Sequence, residues 1–289
     1  MSDRPKVVAV VLNWCGEEMA AACIRSLQED PYPNMEILLV DNGSPDGSGD
    51  RLHARLPDIP FLQTGENLGY TGGNNRGIAR ALERGADYVL ILNHDTTVEA
   101  GAVGRLVATC EEEESVGGVC PSIVYFDAPE RIWYGGGDFS ALRGLGVHRR
   151  VGVALNGRRA PEPVTFLSGC ALLCPAVVFR EVGTFAPEFF AYVEDADLSL
   201  RLRRAGWKLL HEPRARVRHR KPTGEHDPPP FAIVLRDRNR RRLMRTHYGR
   251  LSRIPFWGWY WTTRVGRLIQ YAVRGDRERV RAILEGMKG

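Results

Sequence analysis

Apolar runs that each end in a polar residue constrain this chain more than any other feature. Residues 7–12, 36–40 and 88–92 are dominated by Val, Ile and Leu, and 60–62 adds a shorter run. Between them lie helix-forming stretches. One is 17–27, where Met19, Cys23, Ile24 and Leu27 share one face, and 49–56 and 74–84 follow. Pro31-Tyr32-Pro33 and Asp41-Asn42-Gly43-Ser44 punctuate the alternation as turns. Strands alternating with helices build parallel β-α-β units with both sheet faces covered. Ligands of such folds bind at the carboxyl ends of the strands. Asn13, Asp41 and Asp95 all fall at such ends.

The pattern then loosens. A helix is expected over 98–110 and a strand over 116–121, with irregular strands and loops through 125–163. Residues 166–174 are apolar around Ser168-Gly169, and 177–182 read as a short helix. A helix over 194–205 stops at Gly206. Short strands flank Pro213, and 221–230 is a Pro-rich loop. A strongly basic helix over 231–248 precedes a last segment, 256–273, that opens on Phe256, Trp257, Trp259, Tyr260 and Trp261.

At 289 residues the chain buries a sizeable core, and 43% hydrophobic with 26% charged residues is the balance of a globular protein. The N-terminal apolar run is too short for a signal core or a membrane span, so the protein is expected in the cytoplasm. Six cysteines without a C-x-x-C pair read as small buried residues. Residues 1–200 hold 16 Lys and Arg against 28 Asp and Glu, whereas residues 201–289 hold 24 against 7. A basic tail of this kind suits an anionic partner such as phosphate, acidic lipid or nucleic acid; a solvated helix surface has the same composition.

Chemistry concentrates in five places. Asp41, in a turn after a strand, can accept from the N–H of a pyrimidine base or simply organise an Asx turn. The stretch Gly65 to Gly77, dense in Gly and Asn, opens onto a helix N-terminus and suits a diphosphate. It is neither a dinucleotide fingerprint nor a P-loop. Asn93-His94-Asp95 follows an apolar strand; Asp95 there is a ligand for Mg²⁺ or Mn²⁺ or a helix cap. Glu194, Asp195 and Asp197 follow an aromatic stretch and offer a general base, or acids favoured by a helix dipole. His219, in a basic loop, completes a metal shell or does nothing.

Taken in order, these motifs resemble the family-2 inverting glycosyltransferases, and most of all their rhamnosyltransferase-like branch. The resemblance runs over residues 6–250. It also draws on Asn67-Leu68-Gly69-Tyr70, Phe166-Leu167-Ser168-Gly169 and Arg204-Ala205-Gly206-Trp207. It implies a GT-A fold: a Rossmann-like, mostly parallel sheet flanked by helices. Residues 1–230 would form the catalytic domain, with a nucleotide-sugar half to about 97 and an acceptor half to 230. Residues 231–289 would be a basic, aromatic helical extension. The resemblance implies that Asn13 and Asp41 meet the base and ribose, and that Asn67, Gly73 and Asn74 hold nucleotide and sugar. Asp95 and His219 would bind a divalent metal, Mg²⁺ or Mn²⁺, and Asp195 would deprotonate the acceptor. Asn93 departs from the family's pattern, where an acid opens the D-x-D-like motif, so it supplies no charge. The donor would be a nucleoside-diphosphate sugar of the dTDP-rhamnose or UDP-sugar type, the acceptor a saccharide or lipid-linked saccharide.

Two rivals meet contrary residues. A sugar-nucleotide nucleotidyltransferase needs a basic N-terminal phosphate loop, and Asn13-Trp14-Cys15-Gly16-Glu17-Glu18 is acidic. A non-catalytic protein binding nucleic acid finds no recognised motif in the basic tail. Basic and aromatic residues together instead suit peripheral docking on an anionic membrane through 231–289; the alternative is that the aromatics pack on the domain.

Overall fold

The computed structural model describes residues 4–155, 157, 160–221 and 227–288. The irregular stretch around 156–159 and the Pro-rich loop at 222–226 lie partly outside the described residues.

The first half alternates as the apolar pattern requires: β1 (Val7–Asn13), α1 (Glu17–Gln28), β2 (Met35–Asp41), α2 (Ser48–Arg55), β3 (Phe61–Gln63), α3 (Gly69–Glu83) and β4 (Tyr88–Asn93). Every residue of β1 is buried, as a strand covered on both faces demands. β1 runs parallel to β2 and to β4, and β2 parallel to β3. The register sets Asn13 beside Asp41 and Leu12 beside Asn93, so three strands deliver polar side chains to one edge.

The second half contributes β5 (Thr96–Val98), α4 (Ala102–Glu111), β6 (Val116–Tyr125), β7 (Ile132–Tyr134), β8 (Gly137–Ser140), β9 (Leu145–His148), β10 (Glu162–Pro163), β11 (Ala171–Pro175), α5 (Ala176–Val182), α6 (Glu194–Arg204) and β12 (Lys208–His219). Among the described residues one sheet runs β10-β12-β6-β11-β4-β1-β2-β3, with β5 on β12 and β7 on β6. β11 is antiparallel to β4, while β12 is parallel to β6, so the sheet is mixed but mostly parallel. Ile24 and Leu27 of α1, Ile78 of α3 and Leu106 of α4 join its apolar faces in one core.

Two elements differ from the sequence reading. The helix expected from residue 74 begins at Gly69, so Gly72 and Gly73 are helical rather than loop. A Cβ on Gly77 would collide with Val10, and one on Gly73 would lie 2.5 Å from Leu12 Cδ1. The glycines thus let α3 lie directly on β1. The strands expected on either side of Pro213 are one twelve-residue strand, β12. Its pairing with β6 shifts register between Glu212 and Arg216, a bulge that takes up the proline's missing N–H.

The C-terminal part is three helices: α7 (Pro230–His247), α8 (Ile254–Val273) and α9 (Arg277–Lys288). The sequence reading had not singled out α9. Ile233, Tyr271, Ala282 and Ile283 form a small core among the three. Met244, Phe256 and Tyr260 form another, against Phe139 of β8 and Tyr248. α7 is fastened to α6 by the buried pair His247 Nε2–Asp197 Oδ1, 2.7 Å. Part of the aromatic run packs and part does not: Phe256 and Tyr260 are buried, whereas Trp259 and Trp261 are 37% and 44% exposed. No helix among the described residues is long and apolar enough to cross a membrane.

Candidate active site

β4 ends at Asn93 and the chain turns through His94 and Asp95 into β5. β5 pairs with the end of β12, Thr96 opposite His219. That pairing brings His219 Nε2 to 3.2 Å from Asp95 Oδ2. His94 Nδ1 donates to the Leu12 carbonyl at 3.0 Å and ties the turn to β1. Burial pushes the Asp95 carboxyl up, but the bond and charge of His219, with His94 and Lys221, hold it below its ordinary value. Asp95 Oδ1, His219 Nδ1 and Asn93 Oδ1 are buried without a partner among the described residues. Such atoms normally meet water, an ion or a ligand. The described residues hold no group of three His, Cys, Asp or Glu fit for a metal. Two protein ligands, with phosphate oxygens and water for the rest, are nonetheless ordinary for Mg²⁺ or Mn²⁺, and the unpartnered atoms fit that shell.

The second carboxylate group rests on a strained turn. Tyr192 and Val193 have φ of 70° and 75°, in the left-handed region, where a β-branched residue is rare. From α7, Asn239 Nδ2 donates to the carbonyls of Ala191 and Tyr192 at 2.9 and 2.8 Å and holds the turn. The chain then enters α6 with Glu194 and Asp195 directed inward. Asp195 accepts from the backbone N–H of Gly169 and Ala196 at 3.2 and 2.8 Å. Burial pushes its carboxyl up to about 6, against the pull of those N–H groups and of Arg236. Glu194 is buried, with Oε2 unpartnered among the described residues. Burial, then the Asp195 charge, push it well above the carboxylate range. Burial thus raises both carboxyls, and a raised carboxyl suits a base with pKa near its working pH. Asp197 points elsewhere: Arg201 at 2.8 Å and His247 at 2.7 Å claim its two oxygens.

A cavity of about 480 Å³ is lined by both groups, Asn93, Asp95 and His219 together with Glu194 and Asp195. Trp133, Tyr192 and Arg236 complete its walls.

The remaining sequence candidates lie away from this cavity. Asp41 is fully buried; Asn13, Gln63 and both the N–H and hydroxyl of Ser44 supply it with four donors at 2.6–3.0 Å. Four donors saturate a carboxylate, so a nucleotide reaches Asp41 only by displacing one, and Gln63 is the exposed one. Asn67 is exposed and accepts from Asn42 Nδ2 and Gly69 N. Gly73 and Asn74 are buried within α3, where Asn74 Nδ2 donates to the Tyr70 carbonyl, so Gly73 belongs to a packed helix and not to the loop expected. Sequence reasoning missed Asn239, Arg236, Trp133 and Tyr192. An isolated Asn in a basic helix and an isolated Trp in an irregular stretch carry no local signal.

The fold is that of a GT-A glycosyltransferase. Residues 7–183 match the family model described as glycosyl transferase family 2. An N-acetylglucosaminyl-diphospho-decaprenol L-rhamnosyltransferase of Mycobacterium tuberculosis is 31% identical over 242 residues, 76% of this chain and 77% of that protein. A galactofuranosyltransferase of Mycolicibacterium smegmatis is 25% identical, over 71% of this chain and 68% of that one. The chain belongs to glycosyl transferase family 2 and is a glycosyltransferase; nucleotidyl transfer and non-catalytic binding are not favoured. Two solved structures share the fold. GalNAc-T7 with UDP, GalNAc and Mn²⁺ has a TM-score of 0.65 at 18% identity over 83% of this chain, which spans about half (48%) of that one. The Pyrobaculum calidifontis mannosyltransferase with GDP-Man and Mn²⁺ has a TM-score of 0.59 at 14% identity, over 99% of this chain and 75% of that one. Asp195 and His219 lie beyond the stretch matched by the family model.

Proposed function

We propose that the enzyme transfers a sugar from a nucleoside-diphosphate donor of the dTDP-rhamnose or UDP-sugar type to a hydroxyl of a lipid-linked saccharide, with inversion, in cell-surface polysaccharide assembly. The observation that carries this reading is one cavity lined by Asp195 together with Asp95 and His219. A single displacement needs a base and a leaving-group site in one cavity, and both residue types line it. Asp195 takes the proton of the acceptor hydroxyl as that oxygen attacks the anomeric carbon. The diphosphate leaves toward Asp95 and His219 on the opposite side. These two residues would hold Mg²⁺ or Mn²⁺, which when bound neutralises charge on the diphosphate. Asn13, Asp41 and Asn67 frame the nucleotide side, with Asn93 next to the metal ligands; Gly73 and Asn74 support them from α3.

The relatives' names point to the acceptor class, since the mycobacterial rhamnosyltransferase acts on a polyprenyl diphosphate sugar. The catalytic domain would be residues 1–230, and 231–289 would dock the enzyme peripherally on the cytoplasmic face of a membrane. Support comes from α8, which exposes Trp261, Val265, Ile269 and Val273 at four-residue steps, one stripe on a helix. The test is a screen of nucleotide sugars for thermal stabilisation with Mn²⁺ and with Mg²⁺, followed by product analysis. A stabilising donor whose transfer releases nucleoside diphosphate is expected. Release of pyrophosphate, or stabilisation by none, overturns the reading.

A further inference from the structure

A second cavity, of about 800 Å³, adjoins the first and shares Trp133, Leu145 and Arg236 with it. Its walls come from the segment before β9, from α7 and from α8. Six arginines line it: Arg143, Arg236, Arg240, Arg264, Arg267 and Arg274. Its only carboxylates among the described residues are Asp227 and Asp237. Asp237 is taken by Arg264 at 2.7 and 3.0 Å, with Arg240 at 3.8 Å. Asp227 is taken by Arg274 at 3.1 Å and Arg267 at 3.8 Å. Four guanidinium groups thus share two carboxylates. Arg143 and Arg236 meet no carboxylate within ion-pair distance among the described residues; Arg143 instead lies over the Trp259 ring, 5.7 Å from its centre. Burial, then the Arg264 charge, press Arg240 down to about 10.

A cavity with six cations and two anions is unfavourable unless something anionic enters. Guanidinium forks match phosphate oxygens in pairs. We propose that this cavity holds the diphosphate of the acceptor, so that the saccharide beyond it reaches Asp195 past Trp133 and Arg236. The proposal rests on the lipid-linked acceptor reading above. Its geometry is consistent on both sides. Arg236 faces the base cavity, and the helix that supplies Arg264, Arg267 and Arg274 presents its apolar stripe outward. A diphosphate bound here would leave its lipid chain on the side of α8.

The test compares two acceptors with the full-length enzyme: a saccharide diphosphate on a short soluble alkyl chain, and the same alkyl saccharide without the diphosphate. Arg143→Ala should raise KM for the first about tenfold or more, the loss expected for one charge-assisted contact. It should leave donor affinity and the kinetics of the second acceptor unchanged, and Arg143→Lys should recover part of the loss. Arg236→Ala should act the same way on KM, with an added loss of kcat for both acceptors because Arg236 faces Asp195. An unchanged KM in Arg143→Ala, or an equal loss on both acceptors, overturns the proposal. Calorimetry with methylenediphosphonate in the absence of metal decides even if neither acceptor is used. Binding that weakens about tenfold in Arg143→Ala upholds the site and refutes only the acceptor reading; no binding refutes the site. Vesicles of phosphatidylglycerol separate the other source of phosphate. If Arg143→Ala loses vesicle binding yet keeps its KM for the soluble acceptor, the cavity serves headgroups and the proposal is wrong.

Discussion

His219 and Asp95 are 124 residues apart in the chain and 3.2 Å apart in the fold. Each also keeps a second polar atom buried and unpartnered among the described residues. Asp95→Ala should therefore abolish the metal-dependent part of nucleoside diphosphate binding, since it removes the one carboxylate of the pair. His219→Ala should weaken it less, as a neutral ligand among several. Titration with nucleoside diphosphate, with and without Mn²⁺, measures both. An unchanged metal effect in Asp95→Ala removes it from the ligand set.

Asp195→Asn should lower kcat by about 10²–10⁴-fold, the usual contribution of a general base, with donor affinity retained. Near-normal turnover would transfer the role to Glu194, the other acid lining the cavity.

With the Asp195 carboxyl at about 6, kcat should fall about tenfold per unit as pH drops below that value, because only the ionised form accepts a proton. Stability should move the other way. Asp195 and Glu194 both have carboxyls raised by burial, so the folded state holds their protons more tightly than the unfolded chain. The favourable contribution of Asp195 is complete below the unfolded range near 4 and is lost as pH rises through about 6. Asp195→Asn, permanently neutral, should therefore melt a few degrees above wild type at pH 8 and level with it at pH 4. Equal melting temperatures at pH 8 would contradict the burial described here.

Asn239 clamps the turn whose left-handed Tyr192 and Val193 aim Asp195. Asn239→Ala should lower kcat by about 10- to 100-fold, the order expected when a catalytic group shifts by about an ångström. Donor KM should stay as in wild type, because Asn239 touches nothing on the nucleotide side. A proportional change in both constants would indicate general unfolding instead of misplacement.

Val265→Glu with Ile269→Glu should cut co-sedimentation with phosphatidylglycerol vesicles about tenfold or more at low salt, since both side chains lie on the exposed stripe. Wild type should bind neutral vesicles less than anionic ones. If the double variant sediments like wild type, α8 is not the docking face.

What the sequence by itself determined is local. The alternation of apolar runs and helical spacing predicts the parallel half of the sheet. Polar residues at the ends of β1, β2 and β4 mark the ligand edge, because period and punctuation follow from backbone geometry. Even there, the glycines before Asn74 looked like a loop, since a glycine's composition does not say whether it turns the chain or lets a helix approach a strand. The tertiary structure alone separated Asp197 from the two acids that line the cavity. Asp197 is spent on His247 and Arg201, whereas Glu194 and Asp195 both line the cavity. It alone also brought Asn239 and Arg236 to the site, and the α8 arginines to the cavity beside it. Their proximity arises from how α7 and α8 dock on α6 and β8. Contacts across such distances depend on burial and register summed over the whole chain, and no local pattern encodes them.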